Sequence, residues 1–368
     1  MKISFQNSFF TLAFIALLIA FLIVAKSILI SLGIALLLAF ILYPVHKKFI
    51  RWGVGNILAG FLSILLLIII IGGGITFFSA EIIALSDEIS TFGEKLSKLY
   101  TDVIFYINKN VSIVQDLNKD QLMVDIKSWL KDSAGSLLGG TFNSTANFFT
   151  GMVTMFIYLF LFLIYHKGLV RAFMKFSPED KKEQFFNMLK GVQQVGQKYL
   201  SGMLVLILVL GLANSIGLWI IGIDSPFLFG FLAASLSIIP YIGTTLGATI
   251  PVLYAFMSHD QLWVPLAVAA LFWFVQLIES NFLSPKIVGN SVNVNAFAAI
   301  LSLIIGASIW GVAGMVLFLP FAAMLKVICE EYEPLQPLAL LIGNSNFQDG
   351  DGNKKGLFSR LKEKFKSN

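Results

Sequence analysis

Charge is what this sequence has least of. Lys, Arg, Asp and Glu together supply 13% of its 368 residues, about half the share of an ordinary soluble domain. Cysteine occurs once, at Cys329, which excludes an internal disulfide and leaves that residue as a small apolar filler at a helix end. His46, His166 and His259 each fall at the end of an apolar run, where a solvated or interfacial place suits them, and they form no metal-ligand cluster. No GxxxxGK[ST] loop occurs, which argues against direct drive by ATP. No nucleophile triad points to catalysis, so the chain reads as a protein without enzymatic activity or a cofactor.

Apolar residues are abundant instead: 57% of the chain is hydrophobic and its mean hydropathy is +0.84. Repeated apolar runs, rather than one, indicate an all-α polytopic membrane protein with about eight membrane segments. The net charge of +5 comes from basic residues beside those runs. Positive-inside topology accounts for them better than binding to nucleic acid.

Five regions follow along the chain. Residues 1–80 read as a scaffold of membrane helices, starting with an uncleaved tight hairpin that turns at Lys26-Ser27. Lys47, Lys48 and Arg51, with no acid among them, place the next loop in the cytoplasm, and by parity the amino terminus as well. A third span carries Gly72, Gly73 and Gly74, where close packing or a bend is expected. Residues 81–146 read as an external insertion of two amphipathic helices, the first with a heptad seam through Leu85, Ile89, Phe92, Leu96, Leu99, Val103 and Tyr106. Residues 147–199 hold a fourth membrane helix and a helix expected along the inner membrane surface, its start marked by Ser177-Pro178-Glu179-Asp180. Residues 200–332 form the transport core. Residues 333–368 form a cytoplasmic tail whose Leu357, Phe358, Leu361 and Phe365, set among lysines, suit a basic amphipathic helix on anionic lipid.

The core is organised around Ser225 to Phe256, an apolar stretch interrupted by Pro240, Tyr241, Gly243, Thr244 and Thr245. Its two arms of about fourteen residues span roughly 21 Å each, short of the roughly 30 Å of a bilayer core. They fit either a re-entrant hairpin or one long kinked crossing. The same choice applies to the stretch from Ala296 to Lys326, broken at Trp310-Gly311. Pro240, Pro285, Gly306, Gly311 and Gly314 are the candidate hinge or helix-packing residues. Polar residues gather on the sixth span and just after it: Gln276, Glu279, Asn281, Lys286, Asn290, Asn293 and Asn295. A carboxylate at the bilayer centre costs about 2.5 to 3.5 kcal/mol on insertion scales. Glu279 is therefore either a proton or cation carboxylate, a gate paired with Lys286, or half of an interfacial salt bridge. The asparagines either cap the next arm or line a hairpin mouth. Asn214, in the fifth span, goes to helix packing.

These residues resemble the autoinducer-2 exporter (AI-2E) family of bacterial membrane transporters. The resemblance rests on Tyr199-Leu200-Ser201-Gly202, on Gly217 through Gly222, on Ile239-Pro240-Tyr241-Ile242-Gly243, on Ile278 through Gly289, and on Gly311-Val312-Ala313-Gly314 through Pro320. It covers roughly Tyr199 to Glu331. The chain departs from the family pattern at Thr244, where proline is frequent, and near Ser280, where glycine is. The resemblance implies a homo-oligomeric, pentameric inner-membrane carrier with eight spans. Family members resemble exporters of a furanone-type quorum-sensing signal in some cases and sodium/proton antiporters in others.

The expected function is a secondary exporter of a small polar organic solute, similar to autoinducer-2. Its pathway would be formed by Pro240, Tyr241, Gly243, Thr244, Thr245, Gln276, Glu279, Asn281, Lys286, Asn293 and Asn295, with the Trp310-Gly311 tip opposite, and coupling would be to H+ or Na+. Two alternatives stand beside it: a sodium/proton antiporter working through Glu279, and a non-transporting membrane scaffold. The expected location is the inner membrane, multi-pass, with both termini cytoplasmic.

Overall fold

A computed structural model describes residues 5–79, 141–239, 242–259, 261–289 and 294–343. The heptad seam, the basic tail helix, Pro240, Tyr241, Asn290 and Asn293 lie outside the described residues. Among the described residues the regular elements are helices: α1 (Phe5–Val24), α2 (Lys26–Arg51), α3 (Asn56–Ser79), α4 (Thr141–Met174), α5 (Lys182–Ile221), α6 (Pro226–Leu236), α7 (Ile242–Ser258), α8 (Trp263–Ile278), α9 (Ala296–Trp310), α10 (Val312–Glu331) and α11 (Gln336–Ile342). Six of them, with the extension of α8 counted in, are long and apolar enough to cross a membrane. Large apolar side chains such as Leu12, Leu17 and Ile70 point outward, which suits a protein whose solvent is lipid.

The first two helices do not form the expected hairpin. Ala25 alone separates them, with φ −87° and ψ 12°. Its N–H donates to the Phe21 carbonyl at 2.9 Å, and the Leu29 N–H donates to the Ala25 carbonyl at 3.0 Å. One near-helical residue bends a chain but cannot reverse it, so α1 runs on from α2 and meets α9 instead.

The amphipathic helix before the fifth span is not a separate surface element either. It is the first half of α5, a single helix of 40 residues, roughly 60 Å long. The helix starts after a 3-10 turn at Glu179–Lys181, without a side-chain cap from Ser177. Its apolar face meets protein: a Cβ on Gly191 would lie 2.9 Å from Val327 Cγ1, and Val192 and Val195 pack with Leu37, Leu317 and Met324.

α2, α3 and α4 form one bundle, whose core includes Ala35, Ala39, Leu42, Ile64, Leu159 and Leu163. His46 is not interfacial as expected but 2% exposed; its Nε2 stands 3.2 Å from Asn56 Oδ1, and Asn56 Nδ2 donates to the Ile164 carbonyl at 3.2 Å. That chain of bonds ties the three helices together. Gly72, Gly73 and Gly74 sit in unbroken helix with nothing close to them, so the packing expected there is absent among the described residues.

Both interrupted stretches fold back on themselves. In the first, the Phe229 and Tyr254 rings lie 4.5 Å apart, a Cβ on Gly247 would come within 2.9 Å of Ala233 Cα, and one on Gly243 would overlap the Leu236 carbonyl. Contacts that pair rising with falling residue numbers describe an antiparallel hairpin of α6 and α7, a geometry that one kinked rod cannot give. In the second, Gly306 and Gly314 touch backbone to backbone and the Trp310 and Phe318 rings stand 5.2 Å apart, edge to face. The reversal between α9 and α10 falls at Gly311, with φ 63° and ψ −138°, a backbone region reserved for glycine.

The two classes of glycine have opposite consequences. Gly314→Ala places a methyl against the Gly306 backbone and is expected to destabilise the protein by about 1 to 3 kcal/mol. Gly73→Ala, in open helix, is expected to stabilise it by about 0.5 to 1 kcal/mol. Thermal unfolding of the detergent-solubilised protein checks both; equal midpoints for the two variants would refute the packing role.

Candidate functional site

The site is built where α5, the α6–α7 hairpin and α8 converge. α6 lies hard against α5 because Gly211 faces the Phe231 ring and Gly230 leaves room for Ser215, whose hydroxyl is turned back onto the Gly211 carbonyl at 2.6 Å. This close approach brings Asn214 of α5 level with the hairpin. Gly243, buried, keeps the hairpin tip tight, its N–H donating to the Ile239 carbonyl at 2.8 Å.

α8 supplies the carboxylate. The helix ends at Ile278 and continues as two π turns, Glu279–Leu283 and Pro285–Gly289. Pro285 is the local cause: it has no N–H and crowds the carbonyl four residues back, which wider turns relieve. Ser284 N–H accordingly reaches five residues back, to the Glu279 carbonyl. Asn281 Nδ2 donates to the Leu277 carbonyl at 2.8 Å, and Ser280 Oγ to the Gln276 carbonyl at 2.9 Å, adding donors along the disturbed stretch. Glu279 stands at the change of helix type, with Gln276 one turn earlier set against its carboxyl group.

Together these elements line a partly open cavity of about 20 Å³. Leu210, Ala233, Phe272 and Val275 give it apolar walls; Asn214, Ser237, Thr244, Gln276 and Glu279 give it oxygens. Asn214 is 4% exposed and its Oδ1 has no hydrogen-bond partner. Ser237 spends its proton on the Ala234 carbonyl at 2.6 Å, leaving its oxygen as an acceptor. No lysine or arginine lines the space. A carboxylate, an amide oxygen and a hydroxyl oxygen therefore converge on a volume that suits one water molecule or one dehydrated small cation.

The structure thus brings together Thr244, Gln276 and Glu279 from the sequence candidates and adds Asn214 and Ser237. Thr245 is exposed on α7, its carbonyl accepting from Thr249 Oγ1 at 2.8 Å. Asn281 is exposed and bonded to its own helix. Lys286 is exposed and forms no ion pair with Glu279, so the expected gate pair is not made. Asn295 acts as cap and clamp: its Oδ1 accepts from Ala298 N–H at 2.8 Å, and its Nδ2 donates to the Leu341 and Gly343 carbonyls at 2.7 and 2.9 Å. The Trp310-Gly311 tip, expected opposite the first hairpin, contributes nothing to the cavity; Trp310 Nε1 donates to the Leu22 carbonyl at 3.0 Å instead. The signal that could have found Asn214 is a lone amide inside an otherwise apolar helix.

Comparison with known proteins gives a consistent picture. A family described as AI-2E family transporter matches residues 12–334. The Bacillus subtilis protein YrrI is 26% identical over 318 residues, covering 84% of this chain and 87% of its own length. A Borreliella burgdorferi protein is 22% identical over 345 residues, with 92% and 91% covered. The AI-2 transport protein TqsA of Escherichia coli K12 is 24% identical over 333 residues, with 88% and 91% covered.

An orphaned buried acceptor costs about 1 to 3 kcal/mol, so Asn214→Leu, which fills similar space without the oxygen, is expected to leave stability equal or higher by up to that amount. A lower unfolding midpoint for Asn214→Leu would show that the amide has a structural partner after all.

Proposed function

This chain belongs to the AI-2E family of transporters, and from that premise we propose that it is a secondary carrier exporting a small polar organic solute, of the autoinducer-2 kind, across the inner membrane. Its relatives and its outward-facing apolar helices support a membrane transporter rather than an enzyme. The observation that carries the finer reading is the cavity at Glu279. At about 20 Å³ it is too small for an organic solute but large enough for a coupling ion. The solute pathway opens when the α6–α7 hairpin moves against α5 and α8, which fits a hairpin that enters the bilayer and returns.

One carboxylate among neutral oxygens matches a single positive charge, either a proton or a sodium ion, because a neutral complex is the least costly in a low-dielectric interior. The same feature favours a second reading, cation/proton exchange without an organic solute. A homo-oligomer with a cytoplasmic carboxyl terminus is the assembly proposed with either; the parity that placed the amino terminus on the same side is lost with the expected α1–α2 reversal.

Purified protein in proteoliposomes separates these readings. The exporter moves a furanone-type signal under an imposed sodium or pH gradient, and Glu279→Gln lowers that coupled flux at least tenfold at equal protein level. Dissipation of the gradient without solute movement, lost in Glu279→Gln, identifies the exchanger. Flux indifferent to Glu279→Gln removes the coupling role, and absence of any flux leaves the scaffold.

A further inference from the structure

A second and much larger cavity, about 870 Å³, lies where the α1–α2 bend, the start of α4 and the tip of the α9–α10 hairpin meet. It shares no residue with the Glu279 cavity, and its size is that of a small-molecule site. Among the described residues Lys26 is the one charged residue lining it and makes no ion pair. Three of the hydroxyls around it donate to backbone. Ser31 Oγ shares its one proton between the Ser27 and Gly151 carbonyls, at 3.1 and 3.2 Å, Thr154 Oγ1 donates to the Thr150 carbonyl at 2.7 Å, and Ser308 Oγ to the Ile304 carbonyl at 2.9 Å. What they offer the cavity is lone pairs.

Among the described residues the polar lining is therefore one ammonium group and several hydroxyl acceptors, with no carboxylate. Its complement is a small anion that carries hydroxyl groups of its own: the anionic end meets Lys26, and the hydroxyls donate to Ser31, Thr154 and Ser308. A single positive charge between low-dielectric walls concentrates anions there.

The cavity has a built-in strap. The break at Ala25 takes the Leu22 carbonyl out of the helical ladder, and Trp310 Nε1 donates to it at 3.0 Å. This bond pins the hairpin tip to the bend beside Lys26, with the glycine-only turn at Gly311 immediately after it.

We propose that this vestibule is a binding site for a small polyhydroxylated anion, with Lys26 as its charge-selecting residue and Trp310 as the latch of the hairpin tip. The proposal rests on the reading of the chain as a carrier of a polar solute, but its test does not depend on transport. In a Cys329→Ala background, which removes the only native thiol, Ile309→Cys provides a reporter inside the vestibule without removing one of its hydroxyls.

An anionic sulfonatoethyl methanethiosulfonate is expected to label that thiol at least threefold faster than the cationic trimethylammonium-ethyl reagent, after correction for their intrinsic rates. Lys26→Gln should abolish the preference and Lys26→Arg keep it. Gluconate should slow labelling where uncharged mannitol does not. Trp310→Phe, which keeps the ring and loses the donor, should accelerate both reagents alike. A preference for the cationic reagent, or one unmoved by Lys26→Gln, would overturn the anion site; labelling unaffected by gluconate would overturn the ligand class; rates unchanged in Trp310→Phe would overturn the latch. Absence of flux in proteoliposomes, with these reactivities intact, would count against the carrier reading alone.

Discussion

Contact between backbones is the condition on which the rest of this structure depends. Lipid tails are as apolar as leucine, so helices in a bilayer gain little from burying hydrophobic surface against one another; close packing has to hold them. Here glycine supplies it: Gly243 against the Leu236 carbonyl, Gly230 against Ser215, Gly202 against the Ile287 carbonyl and Gly306 against Gly314. The first two set the α6–α7 hairpin and its distance from α5, the third seats the π-helical end of α8 on α5, and the fourth closes the α9–α10 hairpin. The walls of the Glu279 cavity stand where these contacts put them.

Within such packing, polar groups are kept only with partners, and most of those described here have them. Asn56 links His46 to the Ile164 carbonyl, Asn281 returns to its own helix, and Asn295 makes cap and clamp at once. Two buried atoms among the described residues depart from this pattern, His46 Nδ1 and Asn214 Oδ1; of the two, Asn214 Oδ1 stands beside a carboxylate in a cavity. Buried amides are not kept unsatisfied without cost. The function proposed above would give the Asn214 oxygen a partner, a proton carried on water or a cation.

The sequence made the helices legible because hydropathy and length report contact with lipid directly. Thus α3 and α10 fall close to where their apolar runs place them, and the positions of the two interruptions are evident from Pro240 and from Trp310-Gly311. Direction was less legible. Lys26-Ser27 looks like a turn in a hydropathy profile, yet a bend and a reversal have the same composition, and one intervening residue permits only the bend. The amphipathic start of α5 looks like a surface helix because its apolar stripe is the same whether it meets lipid or α2 and α10. At the site, sequence proximity suggested Glu279 with Lys286, but seven residues on an α-to-π helix turn the two side chains to different faces. Asn214 was the reverse case, distant in sequence and adjacent in space, which only the approach of α5 to α6 at Gly230 discloses.

The two cavities differ in volume about fortyfold, roughly 20 against 870 Å³, and have no lining residue in common, so any coupling between them must pass through packed helices. α5 is the element placed to carry it. One half bears Asn214 and the contacts with α6 and α8; the other bears Val192 and Val195, which pack with Leu317 and Met324 of α10, the helix that also holds Trp310 through Phe318. From Val195 to Asn214 is roughly 28 Å along the helix axis, and the helix is unbroken over that length. An unbroken helix transmits displacement as a rigid body rather than absorbing it at a hinge. α5 meets α10 and α2 where Gly191 and Gly196 admit Val327 and Phe40, and Leu319 of α10 packs on the cluster that holds Leu210 and Val275 of the Glu279 cavity wall, so displacement there reaches α10 along two seams.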